Sequence, residues 1–552
     1  MAGKRAGLLF IAFLSLFILL VGRFFYLQIF DGQKLSKAAS LQRISNAKIE
    51  KPRGDILDTN GIPFTDRSKK SSLVLKPLFL RDKKEEVEKI AEILGIKSIY
   101  LSRELESRRE PIVMQADAEK IESVKALDVE GVSVVHSLRR YDEGTLAKHV
   151  LGYLNKIDQC GETGIEKSYE NFLKYDKDNT MSVMTDAKNN LIRGIGYRVQ
   201  KPEMDERKLN VKLTLDYHIQ KIVEEVLDKN GIKGAVVVED VATGNILAMS
   251  SKPDFDPYDV GRYLSSANNE LFNRAVASYD LGSVFKIIDA ACAFEYGKLL
   301  EGDFECTGSV MIGDKEFKCS SYEKGGNGKV DMLDAFSQSC NSYFISLGIN
   351  IGSEKIINMA KSFGLGQATG IKDMGVDEAS GALPEAGKRY TDGEIANMSI
   401  GQGNMMATPL QVADMVATVA NGGIKNRVNI IDSIVDREGN KVKDLRYQEG
   451  TRIISRTTAN SLKKLMEEVL ESGTGTKANI DEYGGAGGKT GTAETGQVIN
   501  GEKVVQAWFA GYFPKRDPRY SVAVFIENGR SGGQDAAPIF AEIASEIIKK
   551  GY

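Results

Sequence analysis

Three short motifs stand in fixed order in the second half of this 552-residue chain: Ser283-Val284-Phe285-Lys286 (SxxK), Ser339-Cys340-Asn341 (SxN) and Lys489-Thr490-Gly491-Thr492 (KTGT). A serine hydroxyl is a poor nucleophile until a nearby base takes its proton. Lys286 is the candidate base, because positions i and i+3 share a helix face. The chain has three histidines, His136, His149 and His218, and all precede Ser283 by at least 65 residues. That distribution makes a Ser-His-Asp arrangement a poor reading. Each motif alone says little, since SxxK recurs at Ser45/Lys48, Ser321/Lys324 and Ser461/Lys464 and SxN at Ser266/Asn268, whereas KTG occurs once. Order and spacing carry the signal: 56 residues separate Ser283 from Ser339 and 150 separate Ser339 from Lys489, room for a helical lobe before the chain returns to a sheet.

The elements that must position these groups are legible around them. Ile287, Ile288, Ala291 and Phe294 recur at helical spacing and predict a helix from Ser283 to Tyr296. With Ser283 in its first turn, the serine N–H is among the unpaired donors of the helix start, where an oxyanion would be stabilised. Lys286 must be neutral part of the time to serve as a base, and burial or a neighbouring cation would lower its pKa. Ser339 and Asn341 lead an apolar stretch, Tyr343, Phe344, Ile345 and Leu347, where a small polar residue also serves as an ordinary helix cap. Lys489 to Ala493 follows a glycine-rich turn and predicts a strand, with Gly491 making space for a second backbone. An extended peptide could add to that strand, with Lys489, Thr490 and Thr492 offering charge and hydroxyls to a carboxylate.

The flanking blocks resemble one family, the class B penicillin-binding proteins: Asn273-Arg274-Ala275 ahead of Gly282-Ser283, FSQSCNSYF at 336–344, IGQG at 400–403 followed by Thr408-Pro409-Leu410-Gln411, and KTGTAE at 489–494. The resemblance extends to KPRGDILDTNG at 51–61, to 139–152 and to GETGIEKSYENFL at 161–173. It implies a membrane-anchored peptidoglycan D,D-transpeptidase that cross-links stem peptides through an acyl-enzyme on Ser283 and is inhibited covalently by β-lactams. In that reading Ser339 relays a proton to the leaving amine, and Asn341 holds Lys286 and the substrate amide. Lys489, Thr490, Gly491 and Thr492 bind substrate, the Thr492 N–H as second oxyanion donor. It also implies a membrane glycan polymerase as partner and peptidoglycan stem peptides, lipid-linked or in nascent glycan, as substrate. Two departures stand out: Leu281 where relatives usually have proline, and Asp142 where proline usually follows the tyrosine.

The expected fold is α+β: a central antiparallel sheet with helices on both faces and a helical lobe over 283–470, preceded by an elongated α+β pedestal and one transmembrane helix. Expected domains are a cytoplasmic tail (1–5), an anchor (6–30), a non-catalytic, dimerisation-like pedestal (31–205) and the transpeptidase domain (206–552). Residues 6–22 are uncharged, and the apolar character resumes past Arg23, long enough to span a bilayer. Lys4 and Arg5 ahead of it keep the N-terminus cytoplasmic and send the rest outside. A cleaved signal peptide is the competing reading. A net charge of −3 gives no reason to expect nucleic-acid binding. Five cysteines lie on the exported side; Cys306 and Cys319 could be a disulfide, free thiols or, as in relatives with a nearby histidine, a zinc site. Asn327 stands where that histidine would be, so neither metal nor other cofactor is expected. The rival functions are a serine β-lactamase, which would not need a pedestal, and a β-lactam sensor or silent scaffold, which would need more spans or a lost Ser283 or Lys286.

Overall fold

The computed structural model describes residues 2–32, 35, 44–50, 53–108, 110–174, 179–184, 197–200, 209–300, 302, 304–447, 449–499 and 502–552. The domain boundary expected at 205/206 lies outside them. The chain divides into two compact units, one formed by 1–53, 68–139 and 175–206 and the other by 54–67, 140–174 and 207–552.

The first unit contains the helix Ala2–Ile29, whose stretch Gly7–Ile29 has a mean hydropathy of 2.6 and leaves its large apolar side chains outward. That is what a bilayer-spanning helix needs, since its backbone bonds are satisfied internally and its side chains match lipid. A three-stranded antiparallel sheet has Ser68–Leu75 at its centre, between Ile112–Gln115 and Val132–Arg139. Helices Lys84–Leu94, Ser98–Ser107 and Ala118–Ala126 cover it, burying Val87, Ile90, Leu101, Leu105 and Val124 against Leu73 and Leu75.

In the second unit α1 (Tyr217–Lys229) begins at Asp216, whose carboxylate accepts from the N–H groups of His218 and Ile219. There follow the hairpin β1 (Gly234–Asp240) and β2 (Ile246–Lys252), then α2 (Lys286–Tyr296), α3 (Asn341–Ile351), α4 (Asp392–Met398), α5 (Pro409–Ala420) and α6 (Arg456–Glu471). Strands β3 (Gly487–Ile499), β4 (Glu502–Phe513) and β5 (Tyr520–Gly529) and helix α7 (Ala537–Lys549) close the chain. The sheet is antiparallel in the order β2-β1-β5-β4-β3, so the hairpin that opens the domain pairs with its last strand and β3 is an edge.

Alternation along β4 assigns the two faces. Phe509 and Phe513 meet Phe540 of α7, while the Tyr512 hydroxyl reaches the Lys463 carbonyl and Glu467 on α6. On that second face lies α5, buried along its whole length, entered through a capping box of Thr408 and Gln411 with Pro409 in its first turn. The strand Asn210–Leu213, just ahead of α1, belongs to a separate four-stranded sheet, where it pairs with Ile431–Val435 and, in parallel, with Ile56–Leu57. Residues 54–67 and 140–174, read from sequence as part of the pedestal, are held in this unit by a buried ion network. Arg140 donates to the Gly54 carbonyl at 2.7 Å, to Asp66 at 2.6 Å and to Glu166 at 2.7 Å, and the Tyr141 hydroxyl donates to Glu166. At Asp142 the missing proline is replaced by a side-chain turn, with the Asp142 N–H donating to Thr145 Oγ1 at 2.7 Å.

Candidate active site

Ser283 sits in a 3-10 turn, Gly282–Phe285, and the α-helix proper starts at Lys286 rather than at the serine. Tyr279–Asp280 pairs with Met406–Ala407 just before this turn, and the Trp508 indole donates to the Asp280 carbonyl at 2.9 Å. Leu281, in place of proline, keeps an N–H that donates to the Met405 carbonyl at 3.2 Å, a bond proline cannot make. Gly282 has φ +53°, and its N–H donates to the Gly401 carbonyl at 3.0 Å. A Cβ on Gly282 would stand 2.7 Å from the Thr492 carbonyl oxygen, and one on Gly491 2.7 Å from Val284 Cγ2. Glycine at both positions is therefore what lets the Ser283 turn lie against β3.

Lys286 is wholly buried, and its Nζ meets the Ser339 carbonyl at 2.7 Å, Ser339 Oγ at 3.2 Å and Asn341 Oδ1 at 2.7 Å. Three acceptors match the three protons of an ammonium; loss of one leaves a lone pair inside the same cage. Burial pulls its pKa down to about 8, against a partial opposing pull from Cys340, Cys319 and Asp289. Asp289, one turn further along α2, is also fully buried, and neither of its carboxylate oxygens has a hydrogen-bond partner. Burial raises its pKa well above the usual carboxylate range, against the opposing pull of the Lys286 charge.

Ser339 has φ +57°, a left-handed conformation that costs an L-residue roughly 1–2 kcal/mol and that surrounding contacts must hold. The Cys340 N–H bonded to the Ala335 carbonyl and the Lys286 ammonium on the Ser339 carbonyl supply them. The Asn341 Nδ2 donates to the Lys318 carbonyl at 2.8 Å, which turns Oδ1 toward Lys286.

Lys489 lies opposite Ala510, on the face of the sheet from which Tyr512 reaches α6. It is wholly buried, with its Nζ 3.2 Å from the Thr490 carbonyl and 5.5 Å from the Phe336 ring centre. Burial, and then the Lys286 charge, hold its pKa well below the usual lysine value. Thr490 Oγ1 is 2.6 Å from Thr474 Oγ1, while Thr492 Oγ1 accepts from the Gly532 N–H at 3.2 Å. Ser283, Lys286, Ser339, Asn341, Lys489, Thr490, Gly491 and Thr492 are thus gathered around the start of α2. Thr474 and Gly532 join them with no motif to announce them, and Thr474 also ties the site to the SxN turn through its N–H on the Ser337 carbonyl. The histidines make their contacts elsewhere: His136 with Ser71 Oγ, His149 with the Glu270 carbonyl, His218 stacked on Tyr552.

Cys340 belongs to a group that the sequence reading, centred on Cys306 and Cys319, missed. The Cys319 sulfur is 3.7 Å from that of Cys306 and 3.8 Å from that of Cys340, and all three thiols are buried. Hydrogen bonding, first from Cys340 and then from Ser342, lowers the Cys319 pKa to about 5. These separations match those of thiolates about 2.3 Å from a tetrahedral zinc ion, so the three sulfurs fit as ligands of such a metal, which would be structural, fastening the SxN turn. Asn327 donates its Nδ2 to Cys306 Sγ at 3.6 Å instead of offering a fourth ligand.

Two family models match the chain, the penicillin binding protein transpeptidase domain over residues 234–545 and the penicillin-binding protein dimerisation domain over 48–206. The chain is 32% identical to stage V sporulation protein D of Bacillus subtilis, in an alignment covering 99% of this chain and 85% of that protein. It is 28% identical to the peptidoglycan D,D-transpeptidase MrdA of Acinetobacter baumannii, over 95% of this chain and 85% of that one. Its fold is similar to that of penicillin binding protein 3 of Mycobacterium tuberculosis, solved in complex with aztreonam, with a TM-score of 0.62, 24% identity and coverage of 92% and 97% of the two chains.

Proposed function

Because this chain belongs to the class B penicillin-binding proteins, we propose that Ser283 is the acyl-accepting nucleophile of a peptidoglycan D,D-transpeptidase and Lys286 its base. The reaction is the cross-linking of stem peptides in cell-wall synthesis, and β-lactams acylate the same serine. The observation that carries the assignment is the cage around the buried Lys286 amine, made by Ser339 and Asn341 at 2.7–3.2 Å.

In the proposed sequence Lys286 takes the hydroxyl proton and Ser283 Oγ attacks the penultimate D-alanine carbonyl. The oxyanion is held by the N–H groups of Ser283 and Thr492. The Thr492 carbonyl faces Gly282, and a strand residue's N–H and C=O point to one side, so the Thr492 N–H is turned the same way. Ser339 passes a proton to the departing D-alanine amine. An amine from a second stem peptide then displaces Ser283. The donor peptide adds to the open side of β3, an edge strand, with its terminal carboxylate near Thr490, Thr492 and Lys489.

The apolar helix Gly7–Ile29 supports a single-pass membrane anchor. Lys4 and Arg5 ahead of that helix support a cytoplasmic N-terminus with the catalytic domain outside, beside a membrane glycan polymerase. The dimerisation-family match over 48–206 supports a non-catalytic pedestal over 31–205 and a transpeptidase domain over 206–552.

The test is fluorescent penicillin on the detergent-solubilised chain. A covalent label that persists for many minutes is expected, and Ser283→Ala is expected to carry none. Rapid loss of the label with antibiotic turnover would instead make the protein a β-lactamase.

A further inference from the structure

Transpeptidation needs two peptides, and the open edge of β3 accounts for one. Gly282, next to the nucleophile, is clamped between two backbones: β3 at Thr492 on one side and the turn at Gly401 on the other, where a Cβ on Gly401 would lie 2.0 Å from the Gly282 carbonyl oxygen. The Gly401 turn is tied to the end of α4, since the Asn397 carbonyl accepts from the N–H groups of Ile400 and Gln402. On this flank a cleft of about 430 Å³ opens, walled by Glu385, Lys388, Tyr390, Glu394, Asn397 and Asn404 among others. Its size is that of a ligand site.

We propose that this cleft is the subsite for the acceptor, the amine-bearing segment of the second stem peptide. The inference rests on the transpeptidase reading above and extends it to the second substrate. Three features support it. Gly403 in the cleft wall lies two residues from Gly401, whose backbone packs on that of Gly282, while the open side of β3 is left to the donor. Its carboxylates are only half used: Glu394 serves the α4 cap through Oε2, and Glu385 meets Lys388 through Oε2, leaving an Oε1 on each for an incoming ammonium. Contact with Lys388 and with Thr391 respectively lowers the pKa of Glu385 and Glu394, so both are ionised at neutral pH. Lys388 adds a cation for a peptide carboxylate.

The bound ammonium releases one proton to water and becomes an amine. Its nitrogen attacks the ester carbonyl on Ser283, the new C–N bond forms as the C–Oγ bond breaks, and the second nitrogen proton passes by way of the Lys286 amine to Ser283 Oγ.

The experiment uses the full chain in detergent, an acyl-D-alanyl thioester as donor and a lysine-containing tripeptide as acceptor. Thiol release without acceptor reads the donor half and shows that a variant is folded. The ratio of aminolysis to hydrolysis product reads the cleft. For E385Q/E394Q that ratio is expected to fall at least fivefold at subsaturating acceptor and to recover as acceptor is raised. A ratio within twofold of the parent protein would overturn the proposal, as would a fall in thiol release that matches the fall in aminolysis. Should the double variant fail to fold, E385Q alone, at an exposed position outside the helix cap, is expected to lower the ratio at least twofold, and no change there counts against the cleft. If the parent chain releases no thiol and takes no penicillin, the transpeptidase reading itself has failed.

Discussion

Lys286→Met should lower the rate of acylation by penicillin by about 10²–10⁴-fold, the range that a positioned general base supplies. Methionine keeps the length and the apolar stem of lysine but has no amine to receive the Ser283 proton. The variant also strands the Ser339 carbonyl, Ser339 Oγ and Asn341 Oδ1, all now aimed at the Lys286 nitrogen, at a cost of about 1–3 kcal/mol of stability. A modest drop in melting temperature with a very large drop in rate is therefore the expected pair of results. In the parent protein the amine pKa is pushed down to about 8 by burial, and the neutral amine is the form that can act as base. Acylation should accordingly rise about tenfold per pH unit below that value and level off above it. Stopped-flow measurement of acylation between pH 6 and 9.5 checks this, and a flat profile would mean that Lys286 does not take the proton.

Gly282→Ala should cost about 10²-fold in the same rate, through position alone. The new methyl group meets the Thr492 carbonyl oxygen at 2.7 Å, a backbone atom of a hydrogen-bonded strand that cannot swing aside, and alanine must also adopt φ +53°. The left-handed conformation alone costs roughly 1–2 kcal/mol. The clash either lifts the nucleophile turn off β3 or displaces the strand, and both separate Ser283 from the Thr492 N–H. A displacement near 1 Å is enough for a loss of that order. The acylation rate constant, read beside circular dichroism to show an intact fold, decides it. A rate within twofold of the parent would show that the contact between Gly282 and β3 does not set the nucleophile's place.

Most of the site was legible because its chemistry is written in contiguous motifs. Ser283, Lys286, Ser339, Asn341 and Lys489 through Thr492 could be named before any coordinates, and the helix that carries Lys286 and the strand that carries Lys489 follow from local periodicity and turn residues. What stayed hidden depends on distant pairing. Nothing local says that β1 lies beside β5, or that Thr474 and Gly532 would bond to Thr490 and Thr492. Cys340 sits between two motif residues and draws attention away from its sulfur, which meets Cys319 from 21 positions along the chain. The membership of 54–67 and 140–174 in the second unit rests on a two-residue parallel pairing and on Arg140, features too short or too solitary to stand out in a sequence. Asp289 is hidden for the opposite reason: an aspartate in a helix reads as surface, and only the packing around α2 shows it enclosed.

The central claim is that Ser283, freed of its proton by Lys286, carries the acyl group. Peptide mapping by mass spectrometry of the full chain after exposure to benzylpenicillin tests it most directly. One adduct is expected, with the mass of the intact antibiotic, on the peptide containing Ser283 and on that residue within it. An adduct on any other residue, or the same adduct persisting in Ser283→Ala, would contradict the account.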